Sequence, residues 1–173
     1  MDEEYKAFLD RIIEIVSENK KINIQREKRE LAKIFGIKRI PKNSEIVAYA
    51  VENGINDIGE ILRTKPVRSM SGVTVIGLMT APYPCPHGTC IFCPGGIRFG
   101  TPQSYTGFEP AARRAKLNNY DPYLQVQARL KHYLYLGYSP EKIEIIIIGG
   151  TFSALPLVYK ENFITQVFKA LND

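Results

Sequence analysis

Tyr5, Phe8, Leu9, Ile12, Ile13 and Val16 recur at intervals of three and four, the apolar stripe of one helix. The spacing predicts a second, short helix over 26–35, stopped at Gly36. A third is predicted from an Asn43-Ser44 cap; it carries Ile46, Val47, Ala50 and Val51 and stops at Gly54. A fourth, over 57–63, is interrupted by Gly59. Short helices with short links make a small bundle, and Lys65-Pro66 marks its boundary. Beyond it the period changes. Val73, Thr74, Val75 and Ile76 open a nearly continuous apolar run to Met79, which predicts a buried strand. A long loop rich in proline and glycine fills 80–108, and loops this long are usually functional. Helices follow over 110–117 and 122–136. Asp121 caps the second, Pro122 takes its first position and Gly137 ends it. Residues 143–148 are the clearest strand, then come Gly149-Gly150-Thr151 and a helix over 157–171. Strand, loop and helix, twice over, is the βαβα grammar of a parallel sheet or barrel, so the fold class is α/β.

The length, 173 residues, suits one ordinary domain or a small domain joined to part of a larger one. With 45% apolar and 24% charged residues the chain is neither disordered nor fibrous. No apolar run approaches the roughly 20 residues of a membrane helix. The acidic start, Asp2, Glu3 and Glu4, shows no targeting signal. The expected compartment is therefore the cytoplasm, with no membrane partner. All three cysteines fall within residues 85–93. An odd, clustered set excludes a disulfide framework and points to metal.

The net charge of +5 is unevenly placed. Between residues 20 and 42 nine Lys or Arg stand against two Glu. Such a concentration is the footprint of a polyanion-binding surface. The ordinary alternative is a solvated helix face, since Glu27 and Glu30 sit among the bases at helical spacing.

The cysteines are spaced C-x4-C-x2-C, at Cys85, Cys90 and Cys93. Three thiolates can hold three irons of a [4Fe-4S] cluster and leave the fourth open for a substrate, whereas electron-transfer clusters normally use four cysteines. Zinc is the alternative: His87 with the three cysteines offers a complete tetrahedral set. Three features favour iron. The loop leaves the carboxyl end of a strand, where α/β folds place ligands. Phe92 precedes the last cysteine and can pack on a flat ring. Gly149-Gly150-Thr151 ends the next strand and should lie beside the loop.

A three-cysteine loop with an aromatic before its last cysteine, after the first strand of a β/α barrel, resembles the radical S-adenosylmethionine superfamily. The gap from Cys85 to Cys90 is one residue longer than usual there. A narrower match is denser. Residues 65–72, 90–96, Gln103 to Pro110, 120–125 and 149–156 all look like the catalytic subunit family of Elongator, which modifies the wobble uridine of tRNA. Many of its members have a longer first gap, so this loop resembles a shortened version.

The resemblance implies a helical, basic tRNA-binding region over 1–66. It also implies the first two β/α units of a radical S-adenosylmethionine, partial TIM-type barrel over 67–173. Cys85, Cys90 and Cys93 would hold a [4Fe-4S] cluster whose open iron binds S-adenosylmethionine. A 5′-deoxyadenosyl radical made there would activate the methyl of acetyl-CoA, the co-substrate, for carboxymethylation at carbon 5 of uridine 34. Phe92 would flank the adenine, unless it is an ordinary core residue. Gly149, Gly150 and Thr151 would meet the cofactor's amino group, a role compatible with a tight strand-to-helix turn. Lys142 would contact acetyl-CoA, though by residue type it is a solvated turn lysine. Gln103 and Tyr105 are structural or substrate-facing; Arg113, Arg114 and Lys116 read as a solvated face. With a polyanionic substrate implied, Lys20, Lys21, Arg26, Arg29, Lys33, Lys38 and Arg39 become the candidate RNA contacts. An electron donor, and a second copy or Elongator-type subunits, are the further partners. A barrel of this class needs about six strand–helix units of roughly 30 residues. The chain is thus expected to be the amino-terminal part of a longer protein, without the family's carboxyl-terminal acetyltransferase-like domain. Alone it is expected to bind tRNA weakly, to hold a cluster poorly and to turn over nothing. The competing reading is a zinc-stabilised tRNA-binding module without radical chemistry.

Overall fold

The two periodicities resolve into seven α-helices and two β-strands in the computed structural model, which describes residues 3–19, 22–55, 57–63, 71–138 and 140–173. Two units divide the chain, each discontinuous: residues 1–72 with 131–140, and 73–130 with 141–173.

The first unit contains α1 (Glu3–Glu18), α2 (Ile24–Ile34), α3 (Asn43–Glu52) and α4 (Ile58–Leu62). The stripe of α1 is wholly buried at Phe8, Leu9, Ile12, Ile13 and Val16, and packs on Leu31, Ala32, Ile46, Val47, Ala50, Ile58 and Leu62. Burying each large apolar side chain contributes about 1.5–3 kcal/mol, which holds helices too short to stand alone. Asn23 caps α2: its Oδ1 accepts from the Arg26 N–H at 3.2 Å. The expected Asn43-Ser44 cap is not made. Lys42 is the cap residue of α3 and its side chain caps nothing. Asn43 is used sideways instead: its Nδ2 donates to the Leu62 carbonyl at 2.9 Å and its Oδ1 accepts from Lys28 Nζ at 3.0 Å. The segment 131–140 closes on α4. Gly137, at φ +78°, lies so close to Gly59 that a Cβ on Gly137 would sit 1.9 Å from the Gly59 oxygen. Gly59, which interrupts the helical pattern, is therefore a backbone-to-backbone packing surface. Arg63 secures the crossing, with Nε donating to the Gly137 carbonyl at 3.1 Å and its guanidinium 5.1 Å from the Tyr138 ring. The predicted boundary at Lys65-Pro66 lies outside the described residues.

In the second unit β1 (Val73–Met79) and β2 (Lys142–Ile148) pair in parallel, from Val73 opposite Lys142 to Met79 opposite Ile148. Between them run α5 (Pro110–Leu117) and α6 (Pro122–Tyr135), and α7 (Leu157–Asn172) follows β2. Asp121 Oδ1 accepts from the Leu124 N–H at 2.8 Å, the expected cap of α6. Ala112 and Ala115 of α5 pack on Met79. On α7, Phe163, Val167 and Ala170 are buried. Gln127 ties α6 to α7, its Nε2 donating to the Ala170 carbonyl at 2.7 Å. Burial along the strands is uneven: Ile76, Leu78 and Met79 are fully covered while Val75 is 44% and Ile146 46% exposed. Among the described residues no helix is long and apolar enough to cross a membrane.

Candidate sulfur-lined cleft and basic helical face

The cysteine loop starts from a fixed point. Thr80 N–H continues the ladder by donating to the Ile148 carbonyl at 2.9 Å. On the opposite edge of β1 there is no third strand among the described residues. Gln125 from α6 takes that place with its side chain: Oε1 accepts from the Met79 N–H and Nε2 donates to the Met79 carbonyl, both at 2.9 Å. A buried carboxamide thus substitutes for a neighbouring peptide group. One residue past Thr80, the Ala81 N–H donates to the Tyr159 hydroxyl at 2.8 Å, which ties the loop to α7.

From there the loop passes Cys85, Cys90 and Cys93. The three free thiols line one cleft of about 280 Å³ together with Phe92, Gln103 and Gly149-Gly150-Thr151. Parallel pairing puts both strands' carboxyl ends side by side, and this is why the two sequence segments meet. Gly149 is glycine for space, since a Cβ there would lie 2.2 Å from Thr80 Oγ1. At Gly150 a Cβ would stand 3.6 Å from Cys85 Sγ, so any larger side chain would grow into the cleft. Thr151 Oγ1 faces Cys85 Sγ at 3.9 Å.

Cys93 is the most engaged thiol. It accepts from the Ser104 N–H at 3.2 Å and donates toward the Gly95 carbonyl at 3.3 Å and Gln103 Oε1 at 3.5 Å. Gln103 is buried and its Nε2 donates to Thr89 Oγ1 at 3.3 Å. Thr101 closes the return of the loop, its Oγ1 donating to the Tyr105 carbonyl at 2.8 Å and accepting from the Gly96 N–H at 3.0 Å. Farther on, the Glu109 carboxylate receives the Thr106 N–H, the Thr106 hydroxyl and the Gly107 N–H at 2.8–2.9 Å. The Thr106 amide foremost, with these other donors, holds its pKa down to about 2.

His87 Nε2 lies 3.2 Å from Cys90 Sγ. Among the described residues, however, no three His, Cys, Asp or Glu converge so as to hold a single metal ion. Three sulfurs around one cleft without a common point fit a polynuclear group, in which each thiolate takes its own iron. Gly150, with no side chain, leaves the cleft open beside Cys85.

Not every candidate gathers here. Lys142 opens β2, so six residues of strand, about 20 Å at about 3.3 Å each, separate it from the cleft end. Phe92 is at the cleft but 83% exposed.

The basic candidates sit on the helical unit. Lys20 and Lys21 lie outside the described residues. Arg26 pairs with Glu30 at 2.9 Å and Arg39 with Glu45 at 2.6 Å, both at the surface. Arg29, Lys33 and Lys38 are exposed and make no ion pair among the described residues. Among the buried polar residues to which sequence reasoning gave no role are Lys28 at 3% and Gln125 at 4% exposure. Both stand on the apolar stripe of their helix, Lys28 between Ile24 and Leu31, Gln125 between Pro122 and Val126. A polar residue at an apolar position is the signal that could have found them.

Residues 1–70 match the family model described as the ELP3 N-terminal domain. The tRNA uridine(34) acetyltransferase of Methanocaldococcus jannaschii is 44% identical over 182 residues, covering 99% of this chain and 34% of the relative. That of Methanocaldococcus infernus is also 44% identical, over 97% of this chain and 33% of the relative. Elongator complex protein 3 of Dictyostelium discoideum is 38% identical over 93% of this chain and 30% of the relative.

Proposed function

This chain belongs to the Elongator complex protein 3 family, and on that premise we propose that it contributes the cluster cleft and an RNA-holding unit to the modification of uridine 34 in tRNA. It spans about one third of the length of those relatives, and the proposal concerns what these residues add to the reaction. The observation that carries it is the meeting of Cys85, Cys90, Cys93 and Gly149-Gly150-Thr151 around one cleft at the carboxyl ends of two parallel strands.

In this reading the three cysteines hold a [4Fe-4S] cluster, and the cleft opens a β/α barrel of the radical S-adenosylmethionine type. When bound, the cluster and S-adenosylmethionine supply the one-electron chemistry that opens an unreactive C–H bond of acetyl-CoA. The chain's own part is to hold and insulate. The Ser104 N–H bonded to Cys93 Sγ stabilises negative charge on that sulfur. Gly149, Gly150 and Thr151 offer a low wall for the amino end of the nucleoside cofactor, and Phe92 has a free ring face for its adenine. Lys142 would meet the phosphates of acetyl-CoA only at the far end of the sheet, away from the cleft. Arg29, Lys33 and Lys38 present unpaired charge to the tRNA backbone. An external electron donor and Elongator-type subunits complete the scheme.

Anaerobic reconstitution with iron and sulfide tests it. Iron and sulfide taken up in equal amounts, at most about four of each per chain, are expected, with an electron paramagnetic resonance signal in the reduced protein that S-adenosylmethionine perturbs. Replacing any one of the three cysteines by alanine should abolish uptake. The proximity of His87 to Cys90 keeps one second reading in view, a zinc-stabilised tRNA-binding module. Stoichiometric zinc without iron or sulfide would establish that reading and end the first.

A further inference from the structure

A cavity of about 530 Å³ in the helical unit shares only Arg29 with the scheme above. Lys28, Arg29, Lys42, Asn43 and Ser44 line it, and among the described residues no carboxylate does. Lys28 is the unusual member. It lies on the buried stripe of α2, only 3% exposed, and its one acceptor among the described residues is Asn43 Oδ1 at 3.0 Å. An ammonium carries three N–H donors, so two remain without an acceptor among the described residues. A cation this covered, with one neutral acceptor, is costly unless something else answers its charge. Burial also pushes the Lys28 pKa down, and the Glu45 carboxylate offsets this only in part.

The second half of the site is backbone. The Glu45 and Ile46 N–H groups turn back to the Lys42 carbonyl. Those of Asn43 and Ser44 have no acceptor among the described residues, and no side chain caps the helix. They form the positive end of α3. The one acid in that first turn, Glu45, is already engaged by Arg39. Asn43 cannot fold back to cap, because Lys28 and the Leu62 carbonyl hold its two ends.

From this we infer that the cavity is a phosphate subsite, taking one backbone phosphodiester of the bound RNA between Lys28, Arg29 and the amino end of α3. The inference rests on the RNA-binding reading above. A phosphodiester has two non-bridging oxygens, which suits one cationic wall and one N–H wall. The cavity is larger than an isolated phosphate, which leaves room for the strand to continue on either side.

The test uses the full 173-residue chain, a tRNA transcript and a salt series. Lys28→Met keeps the apolar stem and removes the charge. It should weaken binding about tenfold and reduce the slope of log K against log salt by about one. Ser44→Asp puts a carboxylate at the helix start, so it should raise the melting temperature while weakening RNA binding. A merely structural role would move both in the same direction. Arg11→Ala, on α1 and paired with Glu14, should change neither. If Lys28→Met fails to fold, Ser44→Asp decides alone. Inorganic phosphate should shift the Asn43 and Ser44 amide resonances in the native chain. RNA binding unchanged in both variants overturns the inference. Phosphate shifts without any RNA binding would keep the anion site and remove RNA as its source. Neither response would sink the subsite and the RNA reading together.

Discussion

Removing the hydrogen-bonding end of Gln125 should loosen the strand end from which the cysteine loop departs. In Gln125→Leu the Met79 N–H and carbonyl lose both 2.9 Å partners. Met79 is fully buried and Gln125 is 4% exposed, so water cannot replace them without opening the core. Each unsatisfied buried group costs about 1–3 kcal/mol, which puts the total at roughly 2–6 kcal/mol. Gln125→Glu is the sharper probe because its shape is kept. Ionised, it still accepts from the Met79 N–H but sets a negative oxygen against the Met79 carbonyl. Protonated, it can serve both groups. Burial raises such a carboxyl's folded pKa above its unfolded value. Its stabilising contribution is then fully present below the unfolded pKa and lost as pH rises through the folded pKa. Urea unfolding of native and variant chains across pH measures this. Gln125→Glu should approach native stability in mild acid and fall away toward neutrality, while Gln125→Leu stays low throughout. If Gln125→Leu lies within about 0.5 kcal/mol of native, as an ordinary surface change would, the carboxamide is not holding the strand.

Gly137→Ala should destabilise the helical unit by about 3 kcal/mol or more in thermal unfolding, because positive φ costs about 1–2 kcal/mol and the new Cβ strikes the Gly59 backbone. Gly54→Ala, at φ +80° with nothing within 4 Å, should show the conformational cost alone, and equal losses would refute the crossing. Glu109 holds the 106–107 turn with a depressed pKa near 2. That contribution is present above the unfolded carboxylate pKa and lost as pH falls toward 2, so hydrogen-exchange protection factors at Thr106 and Gly107 should drop over that range, and not in Glu109→Gln. Converting Arg29, Lys33 and Lys38 together to Glu should abolish tRNA binding and leave iron uptake by the cysteine loop intact; unchanged affinity would remove the exposed face from the RNA reading.

The helices were legible because their apolar stripes are regular and their stops are glycines at positive φ, Gly36, Gly54 and Gly137. The strands were legible as runs, but the exposure of Val75 and Ile146 was not, since an apolar run says nothing of what covers it. In the site, the meeting of the cysteine loop with Gly149-Gly150-Thr151 followed from consecutive parallel strands ending together. The same register shows Lys142 at the other end, which motif order alone could not reveal. Asn43 illustrates the limit of local rules. Its position reads as a cap, yet a buried lysine and a distant carbonyl compete for its side chain and win.

The discontinuity of the two units bears on when the protein can fold. The segment that meets Gly59 and Arg63 belongs to residues 131–140, beyond the first strand, the cysteine loop and α5. A ribosome releasing about 5–20 residues per second delivers the four amino-terminal helices several seconds before Gly137 emerges. Until then the α4 surface at Gly59 has no cover. The stretch matching the family model, residues 1–70, therefore lacks the turn that packs on Gly59. A clone cut at that limit would leave out the turn that completes it, and one reaching Pro140 would include it.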